Sequence, residues 1–136
     1  MTFHTQTVVR FAHVDPAGIV FYPRYFEMLN AAVEDMFAEQ IGVDFATMHL
    51  DRKIGVPTVN LSVDFHAASR LGDLLDFTID VEKVGGSSAT LNVAVTSAGA
   101  PRLSIRVVLV CMDLDAGKSM PWPDDMRPQV SAALAA

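Results

Sequence analysis

The chain has 136 residues, of which 51% are hydrophobic and 19% charged, a composition typical of one folded globular domain rather than a disordered segment. Lys and Arg number 10 against 16 Asp and Glu, and the resulting formal net charge of −6 argues against a nucleic-acid surface. The N-terminal stretch has no signal-peptide pattern and no apolar run approaches the roughly 20 residues of a membrane span, so we expect a cytoplasmic protein.

A strand followed by a tight turn is predicted at the start of the chain. Residues 3–13 alternate and place Val9, Phe11 and His13 on one strand face. After Val14, the residues Asp15-Pro16-Ala17-Gly18 predict a turn, because proline presets φ at the second turn position and glycine tolerates a positive φ.

The most convincing helix of the sequence begins at Tyr22-Pro23, since proline is favoured at the first helical position. One apolar face recurs at spacings of three or four, at Phe26, Leu29, Val33, Phe37 and Ile41. Gly42 predicts the end of this helix of about 18 residues. Glu27 and Glu34 fall largely on other faces, where solvation or a salt bridge is expected. For residues 43–52 we predict a short helix or an ordered loop.

From Val56 onward the hydrophobic period changes to two and predicts four strands with one apolar face each. The apolar rows are Val59, Leu61, Val63, Phe65; Leu75, Phe77, Ile79, Val81; Ala89, Leu91, Val93, Val95; and Leu103, Ile105, Val107, Leu109, Cys111. Short turns between them predict an antiparallel meander packed on one side. Only one long helix can cover that side, which predicts an α+β fold with a curved antiparallel β-sheet wrapped around one central α-helix. The outer row of the last strand is apolar at Val108, Val110 and Met112, and we expect a subunit interface there.

Several common motifs are absent from the sequence. It contains no GxSxG elbow, no GxxxxGK[ST] loop and no GxGxxG fingerprint. The four histidines are scattered, so no metal is expected, and Cys111 lies in an apolar run that predicts a buried, inert thiol. The last residues, from Met120, predict a proline-bounded turn and then a helical end that frays.

The stretch Asp15-Pro16-Ala17-Gly18-Ile19-Val20-Phe21-Tyr22-Pro23-Arg24-Tyr25 resembles the signature of the 4-hydroxybenzoyl-CoA thioesterase family. That family has the hot-dog fold, in which an antiparallel sheet wraps around a long central helix. The resemblance implies a single hot-dog thioesterase domain over residues 1–136 that hydrolyses an acyl-CoA, of hydroxybenzoyl type, to the acid and CoA. It implies no cofactor, since coenzyme A is part of the substrate, and a homo-oligomer, either a dimer or a homotetramer built as a dimer of dimers.

The resemblance also implies the roles of individual residues. Asp15 matches the catalytic aspartate, acting as nucleophile or general base, and the backbone N–H of Tyr22 matches the group that polarises the thioester carbonyl. The physics agrees, because helix N-terminal N–H groups can receive the negative charge that develops on the carbonyl oxygen. Expected substrate-binding residues are Phe21, Tyr25, Asn30, Val59 and Asn60, and His13 is expected to lie behind Asp15 and orient its carboxylate. Candidates for binding the CoA phosphates are Arg70, Arg102, Arg106 and Lys118.

Two departures from the family pattern and three other readings stay open. His13 stands where members often carry a carboxylate, and Asn30 stands where some relatives place an acidic residue that contacts a ring hydroxyl. The acyl group is therefore not determined. The alternatives are a hydratase of the enoyl-CoA type, a non-catalytic acyl-CoA binding module in which Asp15 is only a turn residue, and a structural subunit without a ligand.

Overall fold

The computed structural model describes residues 1–134. Its helices are α1 (Pro23–Met36) and α2 (Arg127–Ala132). Its strands are β1 (Phe3–Val8), β2 (Ile54–Gly55), β3 (Thr58–Phe65), β4 (Leu74–Val84), β5 (Ser88–Ser97), β6 (Ala100–Val110), β7 (Met112–Asp113) and β8 (Lys118–Ser119).

The main sheet is antiparallel, with the strand order β1-β4-β5-β6-β3, and a small sheet of order β2-β7-β8 stands beside it. The predicted meander is confirmed for β4, β5 and β6, but it is wrong for β3. That strand pairs with β6 rather than with β4, with Leu61 opposite Val107, because β1 occupies the free side of β4. Residues 66–73 carry the chain from β3, at one edge of the sheet, past β6 and β5 to β4, which lies next to the other edge strand, β1. As a result β3 is an edge strand.

The central helix packs on the inner face of the sheet, as predicted. It runs from Pro23 to Met36 and continues through a π-helical turn, Phe37–Ile41, to Gly42 at φ +90°. The inner rows of β4, β5 and β6 are buried beneath it, and with them Cys111, so the core predicted for these strands is confirmed. Burial also raises the pKa of the Cys111 thiol. This is the architecture of the hot-dog fold that the resemblance implies.

The apolar row of β3 does not share this burial, which corrects the prediction for that strand. Val59, Leu61 and Phe65 are 58%, 43% and 53% exposed. Leu61 and Phe65 lie opposite buried residues of β6, and therefore on the inner face. A helix about 10 Å in diameter cannot span five strands spaced about 4.8 Å apart, so the inner face of the edge strand overhangs α1.

The predicted first strand is also too long. β1 ends at Val8, opposite the first residue of β4, so the following residues have no strand to pair with. Phe11–His13 instead form a 3-10 turn, closed by a hydrogen bond of 2.9 Å from the His13 N–H to the carbonyl of Arg10. The shared strand face proposed for Phe11, His13 and Asp15 therefore does not exist.

Val108, Val110 and Met112 are half-buried within the protomer, and more exposed apolar residues lie on β3. The subunit interface expected at this outer row stays a prediction. One further expectation is corrected at the C-terminal end. Up to Leu134, the last residue that the structure describes, the C-terminal segment is packed rather than frayed; residues 135–136 lie outside the described residues. Its Val130 and Ala133 are buried, and the Trp122 side chain is also buried, its indole N–H donating to the carbonyl of Ser88 at 3.1 Å. Among the described residues, no helix combines the length and apolar character needed to cross a membrane.

Candidate active site

The turn that follows the 3-10 segment is built as the sequence predicts. The Gly18 N–H donates to the carbonyl of Asp15 at 2.9 Å, and Gly18 has a φ of +78°, which glycine adopts without strain. The Asp15 carboxylate closes the turn from inside, since its Oδ1 accepts the N–H of Ala17 at 2.9 Å. The turn is therefore fixed by its own residues.

One oxygen of the Asp15 carboxylate is hydrogen-bonded and the other is free. The residue is half-buried, and Oδ1 is engaged with Ala17. Within residues 1–134, Oδ2 makes no hydrogen bond and no ion pair. One oxygen thus orients the group while the other can attack a carbonyl or accept a proton from water.

The start of α1 offers one uncommitted backbone donor. The Phe21 N–H donates to the carbonyl of His13 at 2.9 Å, and the N–H groups of Arg24 and Tyr25 close the first helical turn. Pro23 has no N–H. In the part of the chain that the structure describes, the N–H of Tyr22 has no acceptor at this helix end. Such a donor at a helix N-terminus can bind an oxyanion.

Backbone pairing ties Asp15 to the helix start. The Asp15 N–H donates to the carbonyl of Ile19 at 2.9 Å, and Val14 bridges Val20. His13, two residues before Asp15, pairs with Phe21, the residue before Tyr22. The carboxylate and the free N–H therefore belong to one short hairpin.

A second segment supports this hairpin from its other side. The Val20 N–H donates to the carbonyl of Ser69 at 2.9 Å, and Ile19 bridges Arg70. Asp73 holds the segment in place, because its carboxylate accepts the Arg70 N–H at 2.8 Å and pairs with the Arg102 guanidinium at 2.9 Å. These two interactions, first the Arg70 N–H and then Arg102, hold the pKa of Asp73 below its usual value.

A cavity of about 340 Å³, which we call the aromatic cavity, opens beside the helix start. Its wall contains Ile19, Val20, Tyr22, Tyr25, Phe65 and His66. The ring of Phe65 lies 6.2 Å from the rings of both Tyr22 and Tyr25, measured between centroids. Sequence reasoning missed Phe65 as a site residue, since periodicity assigned it to the core. Only the edge position of β3 exposes it.

The predicted substrate-binding residues divide into two groups. Tyr25 lines the aromatic cavity, and Phe21 stacks edge-on against Tyr22 with ring centroids 5.8 Å apart. Val59 and Asn60 lie at the opposite end of β3 from Phe65, outside this cavity of the protomer.

Asn30 lies farther along α1, in another cavity of about 200 Å³ between the helix and the sheet, which we call the helix–sheet cavity. Glu34 lines it too. Glu27 and Glu34 are both exposed, as predicted, and Glu27 pairs with Arg24 at 2.7 Å.

The backbone carbonyl of His13 accepts the Phe21 N–H, and its ring caps the 3-10 turn. Its Nδ1 accepts the Arg10 N–H at 2.8 Å, which leaves that nitrogen unprotonated. The ring makes no hydrogen bond with Asp15 in the described residues.

Within residues 1–134, no group of three or more His, Cys, Asp or Glu side chains is placed to hold a metal ion.

Comparison with known proteins agrees with this geometry. The chain matches the thioesterase-like superfamily over residues 9–130. It is 28% identical over 129 residues to a 1,4-dihydroxy-2-naphthoyl-CoA hydrolase of Thermosynechococcus vestitus, covering 94% of this chain and 88% of the relative. It is 27% identical over 125 residues to the long-chain acyl-CoA thioesterase FadM of Escherichia coli, covering 90% and 92%.

The fold is shared with a 1,4-dihydroxy-2-naphthoyl-CoA thioesterase of Synechocystis, with a TM-score of 0.86, 20% identity and 96% of each chain covered. Fold, family match and the activities of the relatives define a thioester hydrolase with the hot-dog fold. The chain belongs to the thioesterase-like superfamily. The resemblance is thus confirmed at this level, and membership of the narrower 4-hydroxybenzoyl-CoA family stays a prediction.

Proposed function

We propose that the protein hydrolyses acyl-CoA thioesters, acyl-CoA and water giving the carboxylic acid and CoA. The observation that carries this proposal is the pairing of a free carboxylate oxygen on Asp15 with a free N–H on Tyr22 in one hairpin. The two groups supply what the reaction needs, a base or nucleophile and a donor for the developing oxyanion.

In this mechanism the thioester carbonyl oxygen accepts the Tyr22 N–H, and its carbon faces Asp15. Asp15 either attacks that carbon or removes a proton from an attacking water. A new C–O bond forms, the C–S bond breaks, and the sulfur leaves as the CoA thiolate. Attack by the carboxylate itself gives a mixed anhydride, which water then cleaves. A thiolate is a good leaving group, so a general acid is not obligatory.

The aromatic cavity supports an aromatic acyl group of the hydroxybenzoyl type. Its rings, Tyr22, Tyr25 and Phe65, stand at angles to one another and can make edge-to-face contacts with a bound ring. Of the two relatives named above by sequence identity, one is a 1,4-dihydroxy-2-naphthoyl-CoA hydrolase and the other a long-chain acyl-CoA thioesterase. The aromatic walls of this cavity favour an aromatic acyl group over a long alkyl chain.

Among the basic residues predicted to bind the CoA phosphates, Arg70 is best placed. Arg102 is committed to Asp73, Arg106 pairs with Glu82 on the outer face, and Lys118 lies in β8 of the small sheet. Arg70 is exposed, bridges Ile19 and makes no ion pair in the described chain. Two strand spacings, about 10 Å, separate its backbone from that of Asp15.

A homodimer formed through β3 completes the site in this proposal. The outer edge of β3 is unpaired within the described chain, and its inner apolar row is exposed. An exposed edge with apolar side chains is a template for pairing with a second copy. Because Phe65 and Tyr22 stand at this edge, the second copy would close the aromatic cavity. The tetramer and the cytoplasmic location stay predictions.

A non-catalytic binding module is the second candidate, favoured by the contact between Asp15 and Ala17, which a mere turn residue would also make. CoA release by wild type and Asp15→Asn decides between the two. The amide oxygen of Asn can still accept the Ala17 N–H, so the turn should persist. We expect wild-type turnover and a loss of at least about a hundredfold in the variant.

Asp115→Asn, in an exposed turn away from the site, is the matched control and should keep full activity. Equal turnover by wild type and Asp15→Asn would remove Asp15 from catalysis. Tight acyl-CoA binding without turnover would establish the binding module.

A further inference from the structure

The ring of Tyr25 forms a rigid part of the wall of the aromatic cavity. Tyr25 lies in the first turn of α1 and is only 4% exposed. Its ring centroid stands 6.2 Å from that of Phe65, the neighbouring ring of the same wall. Because closely packed side chains have little freedom to move, the position of the Tyr25 hydroxyl is fixed by the fold.

The Tyr25 hydroxyl has no hydrogen-bond partner within residues 1–134. Two other side-chain oxygens of these residues, Gln40 Oε1 and Ser69 Oγ, are unpaired and also sealed from solvent. The Tyr25 oxygen is not one of them, so it touches solvent although the residue is almost fully buried. Since Tyr25 lines the aromatic cavity, its hydroxyl faces that cavity. A buried tyrosine hydroxyl normally has a partner, and here a bound molecule can supply one.

Helix geometry brings this hydroxyl toward the backbone N–H of Tyr22. The two residues are three apart, about 4.5 Å along the helix axis, and are neighbours on the helix surface. Helical side chains lean toward the N-terminus, so the Tyr25 side chain extends back over the turn that begins at Tyr22. Both residues line the aromatic cavity. A carbonyl oxygen bound at the Tyr22 N–H is therefore within reach of the Tyr25 hydroxyl.

The start of α1 supplies only one backbone donor to such an oxygen. Pro23 has no N–H. In the part of the chain that the structure describes, the N–H groups of Phe21, Arg24 and Tyr25 are bonded to backbone carbonyls. An oxyanion can accept more than one hydrogen bond, and each preorganised donor stabilises it further. A second donor at this place has to be a side chain.

Tyr25 is the best suited of the polar side chains in the wall of the aromatic cavity. The wall has two others, those of Tyr22 and His66. The Tyr22 side chain is 59% exposed, and His66 Nε2 is hydrogen-bonded to Ser104 Oγ at 2.8 Å. The Tyr25 hydroxyl is held in place and uncommitted, so it can receive the developing charge without reorganising.

We propose that the Tyr25 hydroxyl is a catalytic residue, the second hydrogen-bond donor to the thioester carbonyl oxygen beside the Tyr22 N–H. Both hydrogen bonds strengthen as the new C–O bond forms and negative charge collects on that oxygen. The charge then leaves with the sulfur as the C–S bond breaks, and the Tyr25 proton stays on its own oxygen throughout. This inference rests on the proposed thioesterase function and adds a side chain to its machinery.

Tyr25→Phe tests the proposal, because it removes the hydroxyl and keeps the ring that packs against Phe65. We expect kcat to fall by at least about tenfold and KM to change little, since the lost hydrogen bond is strongest in the transition state. The substrates are benzoyl-CoA, 4-hydroxybenzoyl-CoA and decanoyl-CoA. The factor should be the same for all three, because they share only the thioester and the CoA part.

Thr90→Val is the matched control for the loss of a buried hydroxyl. Thr90 is buried in β5, outside the aromatic cavity, and its hydroxyl makes no hydrogen bond in the described chain. This variant should keep the kcat of wild type. A smaller loss than about tenfold in folded Tyr25→Phe would overturn the proposal. A loss confined to 4-hydroxybenzoyl-CoA would also overturn it, because the hydroxyl would then contact the ring of the substrate instead of the carbonyl.

An infrared measurement separates this inference from the proposed function. Benzoyl-CoA labelled with carbon-13 at the thioester carbonyl is bound to Asp15→Asn, with and without Tyr25→Phe. A hydrogen bond weakens the C=O bond, so we expect a higher stretching frequency in the double variant. If wild type shows no turnover, the thioesterase proposal fails, but this frequency still reports on Tyr25. Equal frequencies in the two proteins, or no bound carbonyl signal in either, would contradict the role of Tyr25.

Discussion

Arg102 and Asp73 form an ion pair of 2.9 Å in which the two side chains are only 17% and 30% exposed. The same guanidinium nitrogen also donates to the carbonyl of Ala68 at 2.8 Å. Asp73 accepts the Val9 N–H through its own carbonyl, so the pair fixes both the segment that supports the Asp15 hairpin and the chain that enters it. The pair therefore helps to position the hairpin that carries Asp15.

Replacing Arg102 by Met should therefore lower kcat as well as stability. We expect a loss of about 1–2 kcal/mol in the free energy of unfolding, since the pair is partly exposed. We expect kcat to fall more than KM changes, because Asp15 loses its fixed position relative to Tyr22. Arg106→Met is the control, as Arg106 makes an exposed pair with Glu82 on the outer face. Equal kinetics in the two variants would contradict the positioning role.

The same pair makes stability depend on acid pH. The pKa of Asp73 is lower in the folded protein than in the unfolded chain, because the folded carboxylate is stabilised by the Arg70 N–H and by Arg102. Its contribution is thus fully present above the unfolded value, about 4, and is lost as the pH falls through the lower folded value. Urea unfolding between pH 3 and pH 6 should show this loss in wild type and a weaker pH dependence in Asp73→Asn.

Gly18→Ala should impair activity beyond its cost in stability. A side chain at φ +78° is strained even though the space around the added Cβ is open, and we expect a loss of about 1 kcal/mol. Relief of that strain would shift the turn that carries Asp15, so kcat should fall. Gly117→Ala is the matched control, with φ +66° and equally open space in an exposed turn. Activity lost to the same extent in both variants would point to instability rather than to the turn.

Leu61→Asp should dissociate the proposed dimer. Leu61 lies on the exposed inner row of the edge strand, where a charge would be buried by a second copy. We expect light scattering to give a dimer or larger assembly for wild type and a monomer with low activity for the variant. Leu50→Asp, at a 68% exposed position away from β3, should keep the assembly of wild type. A monomeric wild-type protein with full activity would exclude the shared site.

Arg70→Met should weaken binding of the nucleotide part of the substrate. We expect KM for an acyl-CoA to rise several-fold and kcat to stay nearly unchanged, with a smaller effect at high salt, since phosphate contacts are screened. The acyl-pantetheine thioester lacks these phosphates, so its KM should not change. A similar rise for both thioesters would assign Arg70 to the hairpin instead.

The sequence by itself determined the local features of this protein. The Asp15–Gly18 turn, the helix start at Pro23, its end at Gly42 and the buried rows of β4, β5 and β6 follow from φ preferences and hydrophobic period. These are properties of neighbouring residues, and they agree with the fold. The motif around Asp15 predicts a hot-dog thioesterase, and the match over residues 9–130 confirms this at the level of the thioesterase-like superfamily.

Tertiary structure alone decided which strand lies at the edge, and with it the shape of the site. Period two assigns an apolar face to β3 and β5 alike, but it does not say which strands are neighbours. Because β3 pairs with β6, Phe65 stands beside Tyr22 instead of in the core, and its ring forms part of the wall of the aromatic cavity. The Arg102–Asp73 pair likewise joins residues 29 apart in the chain. Such contacts depend on which strands are neighbours in the sheet, and the local pattern of a single sequence does not reveal that order.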